Sequence, residues 1–480
     1  MTPDEIRKAA AGILPSARQL AWQELEFTGF LHFGMNTFTD KEWGDGKEDP
    51  QQFNPTELDA RQWVRAGQDA GMKLMILTAK HHDGFCLWPS RFTEHGVRNS
   101  PWKGGKGDVV REFADACHSA GMKMGLYLSP WDRHETKYGD SPAYNEHFKN
   151  QLRELLTNYG EVSEVWFDGA CAEGPNGRKQ EYDWAGFHAV IRECQPDAAI
   201  AICGPDARWV GNESGFARDT EWSVVGVDFE GTPRDYNEAF YIPYLYEDPK
   251  SQGQKSPGSQ EALARSKRLV WWPAETDVSI RPGWFYHASE DLKVKSVETL
   301  VDIYYKSIGR NTVLLLNVPP DRRGLIHEVD SARLREFRAA IDRTFKRNLA
   351  KGTAARATNE KAPGRKFGAA RAVDGKAATF WATEEGVTAA SLEVDLGKDV
   401  TFNRAMYQEM IALGQKVEAY SLEAWHQGDW KEVVAGTTIG HKKLDRFGDV
   451  TTSKVRVTIR EARGAIAIRH FGVFKADPGA

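Results

Sequence analysis

Two acids in this chain have the setting that carboxylate chemistry needs. Asp168 ends the run Glu164-Val-Trp-Phe-Asp-Gly-Ala170, and Glu213 sits between glycines in Gly211-Asn-Glu-Ser-Gly215. Val165 and Phe167 favour a strand, Gly169 stops it, and Trp166 shares a strand face with Asp168. An ionised carboxylate in an apolar strand is costly unless something pairs with it, so a pocket is a natural place for Asp168. The plain alternative is an Asp that caps the next turn. Glu213, taken alone, reads equally well as a solvated loop acid. A fixed acid and a loop acid together suit glycoside hydrolysis, in which one attacks the anomeric carbon and the other protonates the leaving oxygen. The two stand about 5–5.5 Å apart in retaining enzymes and roughly 6.5–9.5 Å apart in inverting ones. Asp168 fits the nucleophile, and Glu213, with a pKa raised by partial burial, fits the acid/base.

Other polar and aromatic residues recur at predicted strand ends. His32-Phe-Gly-Met-Asn36 is followed by Glu42-Trp43, and a second strand ends in Lys80-His-His-Asp-Gly-Phe85. A third carries Tyr127 and is followed by Pro130-Trp131, and Arg281-Pro-Gly-Trp-Phe-Tyr-His287 lies near a later one. Histidines and acids invite a metal. However, His81 and His82 are adjacent, neighbours on a strand point to opposite faces, and no Cys or HExxH spacing assists. The expectation is therefore no metal, with neutral histidines binding the hydroxyls of a polar substrate and one of the His81/His82 pair satisfied in the wall. Of 16 tryptophans, 13 precede residue 350, and several sit at strand ends, where indole faces could stack on sugars.

The elements that must position these residues alternate. Candidate strands are 28–34, 73–82, 123–130, 164–170, 198–205, 221–226, 269–280 and 311–319, with helix-like stretches such as 58–70 and 108–120 between the early ones. Alternating strand and helix patterns argue for parallel βαβ units, and eight of them for a (β/α)8 barrel whose C-terminal strand ends carry the site. Ala70-Gly-Met-Lys73 and Ala120-Gly-Met-Lys123 repeat a helix stop followed by a strand start, with Gly at the cap. The long 228–263 stretch, rich in Pro, Gly, Ser and Tyr, reads as a functional loop on the active face. A helix over 331–347 ends the first domain (1–347). The second (348–480) reads as an all-β sandwich with strands at 391–396, 417–425, 454–459 and 466–474.

Composition narrows the class. A length of 480 residues needs more than one core, and 41% hydrophobic with 27% charged residues is globular. A net charge of −5 implies no nucleic-acid or anionic-membrane partner, and no apolar run approaches the roughly 20 residues that span a bilayer. Five cysteines without CxxC spacing argue against a disulfide framework or zinc site. Residues 1–19 lack the apolar core of a signal peptide. The expected location is cytoplasmic, or periplasmic or secreted if a signal was removed.

The ordered set His32-Phe-Gly-Met-Asn, Lys80-His-His-Asp-Gly-Phe85, Gly125-Leu-Tyr-Leu-Ser-Pro-Trp131 and Val165-Trp-Phe-Asp-Gly169 resembles the α-L-fucosidases of glycoside hydrolase family 29, across about 22–320. The resemblance implies a retaining enzyme with Asp168 as nucleophile. It implies a fucose pocket of His32, Glu42, Trp43, His81, His82 and Tyr127, with Trp166 beside the nucleophile. The Glu213 segment and 281–287 resemble the subfamily that prefers α-1,3/1,4-linked, Lewis-type fucose, which makes Glu213 the acid/base and adds Trp284 to the pocket. Glu221, Asp219 and Glu275 are the next acids to consider. Arg371-Ala-Val-Asp-Gly375, Thr379-Phe-Trp381 and 392–397 resemble discoidin-like sandwiches, which bind carbohydrate or brace a neighbour and can carry a structural calcium near the Asp374-Gly375 turn. No cofactor is expected for catalysis, and the partner is a fucosylated oligosaccharide or glycoconjugate. The rival expectations are broader linkage specificity, a hydrolase of another deoxysugar, and a carbohydrate-binding protein without activity. Trp381, Tyr407, Trp425 and Trp430 are weighed as sugar contacts of the sandwich against core.

Overall fold

The structure, a computed structural model, describes residues 2–174, 176–233, 256–361 and 366–477. Most of the long stretch expected as an active-face loop, 234–255, lies outside the described residues. Among the described residues, ten strands form in the first part of the chain. They are β1 (Phe27–Leu31), β2 (Leu74–Lys80), β3 (Lys123–Leu128), β4 (Glu164–Phe167), β5 (Ala199–Ile202), β6 (Arg208–Trp209), β7 (Val224–Val227), β8 (Arg268–Trp271), β9 (Ala274–Ser279) and β10 (Val313–Asn317). Eight of them pair in parallel in the order β5-β4-β3-β2-β1-β10-β9-β6, a nearly closed barrel. Their runs are almost wholly buried, as strands covered on both faces must be.

Local chemistry explains the alternation. The helices Ala60–Ala70 and Val109–Ala120 both stop at a glycine in the left-handed region, Gly71 at φ +86° and Gly121 at φ +67°. Only glycine adopts that conformation without steric cost, so each helix ends there and the chain turns into β2 or β3. Helix Val109–Ala120 buries Val110, Phe113, Ala114 and Cys117, the face its periodicity predicts.

Two strand expectations are corrected. The predicted sixth strand, 221–226, is not in the barrel: β7 leaves it and pairs antiparallel with β8. The predicted seventh, 269–280, is two strands broken at Trp272-Pro273, because a proline has no N–H to give a ladder. The vacant barrel position is taken by β6, two residues long and paired with β9. That is too short for any periodicity to show.

The rest of the chain is antiparallel: β11 (Ala354–Ala357), β12 (Trp381–Ala382), β13 (Ala390–Glu409), β14 (Val417–His426), β15 (Asp429–Gly436), β16 (Lys443–Ala462) and β17 (Ala467–Phe474). β13 and β16 are each 20 residues long and interrupted by bulges between Asp395 and Val400 and between Phe402 and Arg404. On one side of the bulges β13 lies between β11 and β16, and on the other between β16 and β17. Two shared, bent strands thus build both layers of a sandwich around Leu392, Val394, Phe402, Tyr420, Val457 and Phe471. Trp381 and Tyr407 are core, whereas Trp425 and Trp430 are half-buried and pack edge to face on the β14–β15 hairpin.

The sandwich meets the barrel at the N-terminal strand ends. His441 Nε2 is 2.9 Å from Glu26 Oε1, just before β1, and the His441 backbone N–H donates to Asn311 Oδ1 at 2.7 Å, just before β10. Asp374 accepts from Thr379 Oγ1, the Lys376 backbone N–H and Arg371 Nη1. No described helix is long and apolar enough to cross a membrane.

Candidate active site

β4 ends at Phe167, one residue short of Asp168, so the acid sits where backbone pairing stops and the C-terminal mouth begins. Its two oxygens have different duties. Oδ1 accepts the Ala170 backbone N–H at 2.8 Å, a turn cap, and Oδ2 accepts the Tyr127 hydroxyl at 2.9 Å. The cap and the pocket acid, alternatives in the sequence, are both true. A cavity of about 290 Å³ opens above it, walled by Phe30, His32, Trp43, His81, His82, Trp166, Ile202, Trp209 and Trp284 with the acids Glu42, Asp168, Glu213 and Asp277. Carboxylates set among aromatic walls are the furniture of a sugar pocket. Among the described residues, none of the sandwich lines it.

Glu213 lies on the loop after β6. Its side chain is solvent-exposed at the cavity mouth, Oε2 accepts the Trp284 indole N–H at 3.3 Å, and partial desolvation against the cavity wall, followed by the charges of Asp168 and Glu42, raises its pKa. A proton held above the ordinary carboxyl range is what a general acid requires. Glu42 accepts the backbone N–H groups of Trp284 at 2.8 Å and Phe285 at 3.1 Å and lies 2.7 Å from His287 Nε2. It therefore lines the cavity and also ties the loop after β1 to the loop after β9.

The hydrogen bonds decide which histidine nitrogens carry protons. Asn317 donates its amide N–H groups to Ser279 Oγ and Trp284 O, so its carbonyl faces His32 Nδ1 at 2.9 Å and that nitrogen is the donor. Burial pushes the His32 pKa down to about 4, which leaves the ring neutral and Nε2 an acceptor. Ser129 donates to Trp131 O at 2.6 Å and hence accepts from His82 Nδ1 at 2.7 Å. His82 Nε2 then points a lone pair toward Asp168 Oδ2, 3.7 Å away. His81 Nδ1 faces the Asn36 amide N–H at 3.4 Å, and burial lowers its pKa well below the usual value. Neutral histidines with one acceptor or donor each suit hydroxyl groups.

The adjacent-histidine argument against a shared metal is corrected. β2 stops at Lys80, so His81 and His82 leave the strand and both rings line the cavity, their centroids 4.1 Å apart. With Asp168 they bring three ligand atoms within 4.8 Å of one another. Neither ring is spent on the barrel wall. Tyr127 is also placed differently from the pocket role implied for it: fully buried, it stacks on Trp166 (5.4 Å, 23°) and holds Asp168 from behind.

The turn carrying the two histidines is anchored by Lys80. Its ammonium, completely buried, donates to Asp132 Oδ2 at 2.8 Å and Gln151 Oε1 at 2.9 Å, and Asp132 also caps the His134 and Glu135 N–H groups. Lys80→Met leaves the buried Asp132 carboxylate without its cation and is expected to cost about 3–5 kcal/mol of stability, read from denaturant melts. An unchanged midpoint would show that Asp132 is held by its backbone donors alone.

The reserve acids are otherwise engaged. Glu221 is buried in ion pairs with Arg208 and Arg218, Asp219 is exposed and paired with Arg310, and Glu275 lies on the barrel floor accepting the Trp166 indole N–H at 2.6 Å. Sequence reasoning missed Asp277, Asn317, Trp209 and Phe30. Asp277 was within reach, because Glu275-Thr-Asp277 puts two acids on one face of a strand. Asn317 gave no signal, since an asparagine at a strand end reads as a turn residue.

Comparisons with known proteins agree with this geometry. A family model described as alpha-L-fucosidase matches residues 22–342, and one described as F5/8 type C domain matches 354–471. Alpha-L-fucosidase 1 of Arabidopsis thaliana is 42% identical over 466 residues, 96% of this chain and 87% of that protein. Among solved structures, one assigned to the α-L-fucosidases from Bacteroides ovatus is 48% identical with a TM-score of 0.87, covering 100% of this chain and 77% of that one. A Ruminococcus gnavus GH29 fucosidase in complex with fucose is 33% identical with a TM-score of 0.84, covering 97% and 96%. Barrel, pocket and matched span together establish that this chain belongs to the α-L-fucosidase family of glycoside hydrolases.

Proposed function

We propose that the chain is a retaining exo-α-L-fucosidase that releases α-1,3/1,4-linked fucose from Lewis-type branched glycans. The observation that carries this is the single cavity lined by both Asp168 and Glu213, with neutral histidines and indoles as its walls. An Asp168 oxygen attacks the anomeric carbon as the glycosidic C–O bond breaks, and the Glu213 proton passes to the leaving oxygen. Glu213, now a carboxylate, takes a proton from water, whose oxygen displaces Asp168 and frees fucose. His82 Nε2 and Asp168 Oδ2 are two acceptors 3.7 Å apart, so a substrate hydroxyl beside them can donate its one proton to either. The linkage preference rests on the Glu213 loop and the Trp284 segment, whose side chains meet across the cavity. The R. gnavus relative with bound fucose supports the monosaccharide.

The test is a time course of fucose release from a Lewis-type trisaccharide, an α-1,2-fucoside and an aryl fucoside. Preference for the branched trisaccharide is expected. Preference for the α-1,2-fucoside would overturn the linkage assignment, and no fucose from any of them would point to another deoxysugar. We further propose that no metal takes part, because a cation on His81, His82 and Asp168 would occupy the attacking carboxylate. EDTA should leave the rate unchanged and added Zn²⁺ should inhibit competitively. A rate that falls with EDTA and returns with metal would reverse this.

A further inference from the structure

His287 closes the motif Arg281-Pro-Gly-Trp-Phe-Tyr-His, and the proposed reaction gives it no part. Its ring stands between two acids. Nδ1 lies 2.7 Å from Asp40 Oδ1, and Nε2 lies 2.7 Å from Glu42 Oε1. A neutral imidazole has one N–H and one lone pair, so it can donate to only one of them. The other contact would set lone pair against lone pair. Both acids sit where a carboxylate is at home. Glu42 takes the backbone N–H groups of Trp284 and Phe285 besides the ring, and Asp40 is open to water. Only a ring protonated on both nitrogens satisfies the two contacts together. Gly283 makes the room for this pair, since a Cβ there would stand 2.6 Å from Glu42 Oε1 and 3.0 Å from His287 Cδ2. Glu290, the other acid on this loop, accepts the Gly283 N–H at 3.1 Å.

We propose that His287 is a positioning residue for sugar binding: held as an imidazolium between Asp40 and Glu42, it fixes Glu42 as a charged acceptor for a fucose hydroxyl. The proposal rests on the fucosidase reading of the cavity, which Glu42 lines. Burial works against the charge on the ring, but the hydrogen bonds to Asp40 and Glu42 outweigh it and raise its pKa. His32, His81 and His82 move the other way, chiefly by burial, and their wall-side nitrogens meet only amides or a hydroxyl. The imidazolium also has an electrostatic use. Glu42 shares the cavity with Asp168 and Glu213, and a cation bonded to Glu42 offsets one of these negative charges.

The experiment combines ring-15N NMR of histidine-labelled protein with calorimetric binding of L-fucose and pH profiles of kcat/KM on methyl α-L-fucoside, whose leaving group needs a proton. The His287 signal is assigned by its loss in His287→Gln. Near pH 7 it should show both nitrogens protonated while the three cavity histidines are neutral. Asp40→Asn should lower the pH at which that doubly protonated signal disappears, because one of the two anions that hold the charge is gone. His287→Gln keeps a neutral donor for Glu42 and should weaken L-fucose by about 10-fold; His287→Phe keeps none and should weaken it by on the order of 100-fold, with KM changed more than kcat. In His287→Gln the basic limb should move up by roughly half a pH unit, since an uncompensated Glu42 makes ionisation of Glu213 harder. A ring that is neutral near pH 7, or unchanged L-fucose affinity with an unmoved basic limb in His287→Gln, would overturn the proposal. Should His287→Phe fail to fold, the ring signal and the Gln variant decide it. A wild-type protein that binds no L-fucose would instead overturn the reading on which the proposal rests.

Discussion

Asp168→Asn loses fucosidase activity by on the order of 10⁴-fold or more, on glycan and aryl substrates alike. The substitution is close to isosteric, and the amide oxygen can still accept the Ala170 N–H or the Tyr127 hydroxyl that fix the side chain. The fold should survive, and only the proposed nucleophile is gone. Loss on the aryl fucoside is the telling part, since a good leaving group excuses a missing acid but never a missing nucleophile. Asp168→Gly opens room for a small anion. With azide it should yield the β-fucosyl azide, because azide then attacks from the face that Asp168 occupies. Wild-type-like turnover in the Asn variant, or an azide adduct of α configuration, would remove Asp168 from the role.

If Glu213 is the proposed acid/base, Glu213→Gln should divide the two half-reactions. On a glycan, whose leaving oxygen needs a proton, the loss should reach roughly 10²–10⁴-fold. On a nitrophenyl fucoside the first step proceeds without an acid while the second lacks its base. A burst of phenolate followed by a slow steady rate is therefore expected in stopped-flow traces. The pH dependence follows in sign from the raised pKa of Glu213. The working form is protonated, so activity is present below that pKa and lost as pH rises through it, above the range of an ordinary glutamate. In the Gln variant that basic limb should vanish. If it persists with full glycan activity, another carboxyl delivers the proton.

Burial also explains why the site tolerates so many ionisable groups in a small volume. His32, His81 and His82 all have lowered pKa values, chiefly from desolvation, and so add no positive charge near Asp168. Their role in the cavity is hydrogen bonding of fixed polarity, imposed by Asn317, Asn36 and Ser129 behind them. Replacing one of those supporting residues would change which nitrogen carries the proton without touching the cavity surface.

Local pattern was enough for much of this molecule. Apolar runs stopped by Gly or acid marked β1 to β5 and β10, the repeated Ala-Gly-Met-Lys marked two helix-to-strand turns through glycine's access to positive φ, and the changed pattern beyond residue 348 marked the antiparallel part. Asp168 and Glu213 were visible because an acid at the end of a buried strand, or between two glycines, is a local oddity. Parallel barrel topology then gathers strand ends to one face whatever their distance in sequence.

What stayed hidden depends on pairing between distant segments. No period shows in a two-residue strand, so nothing in Arg208-Trp209 announced that it, rather than 221–226, completes the barrel against β9. The aim of His81 and His82 turned on where β2 lets go of its neighbours, and a single residue of strand length reverses a side chain. That Tyr127 backs Asp168 while Asp277 lines the cavity reflects the depth of each on its own strand, set by the barrel's stagger. Residue type determined which groups could do chemistry here. Register and closure, which are sums over long-range contacts, decided which of them share a cavity.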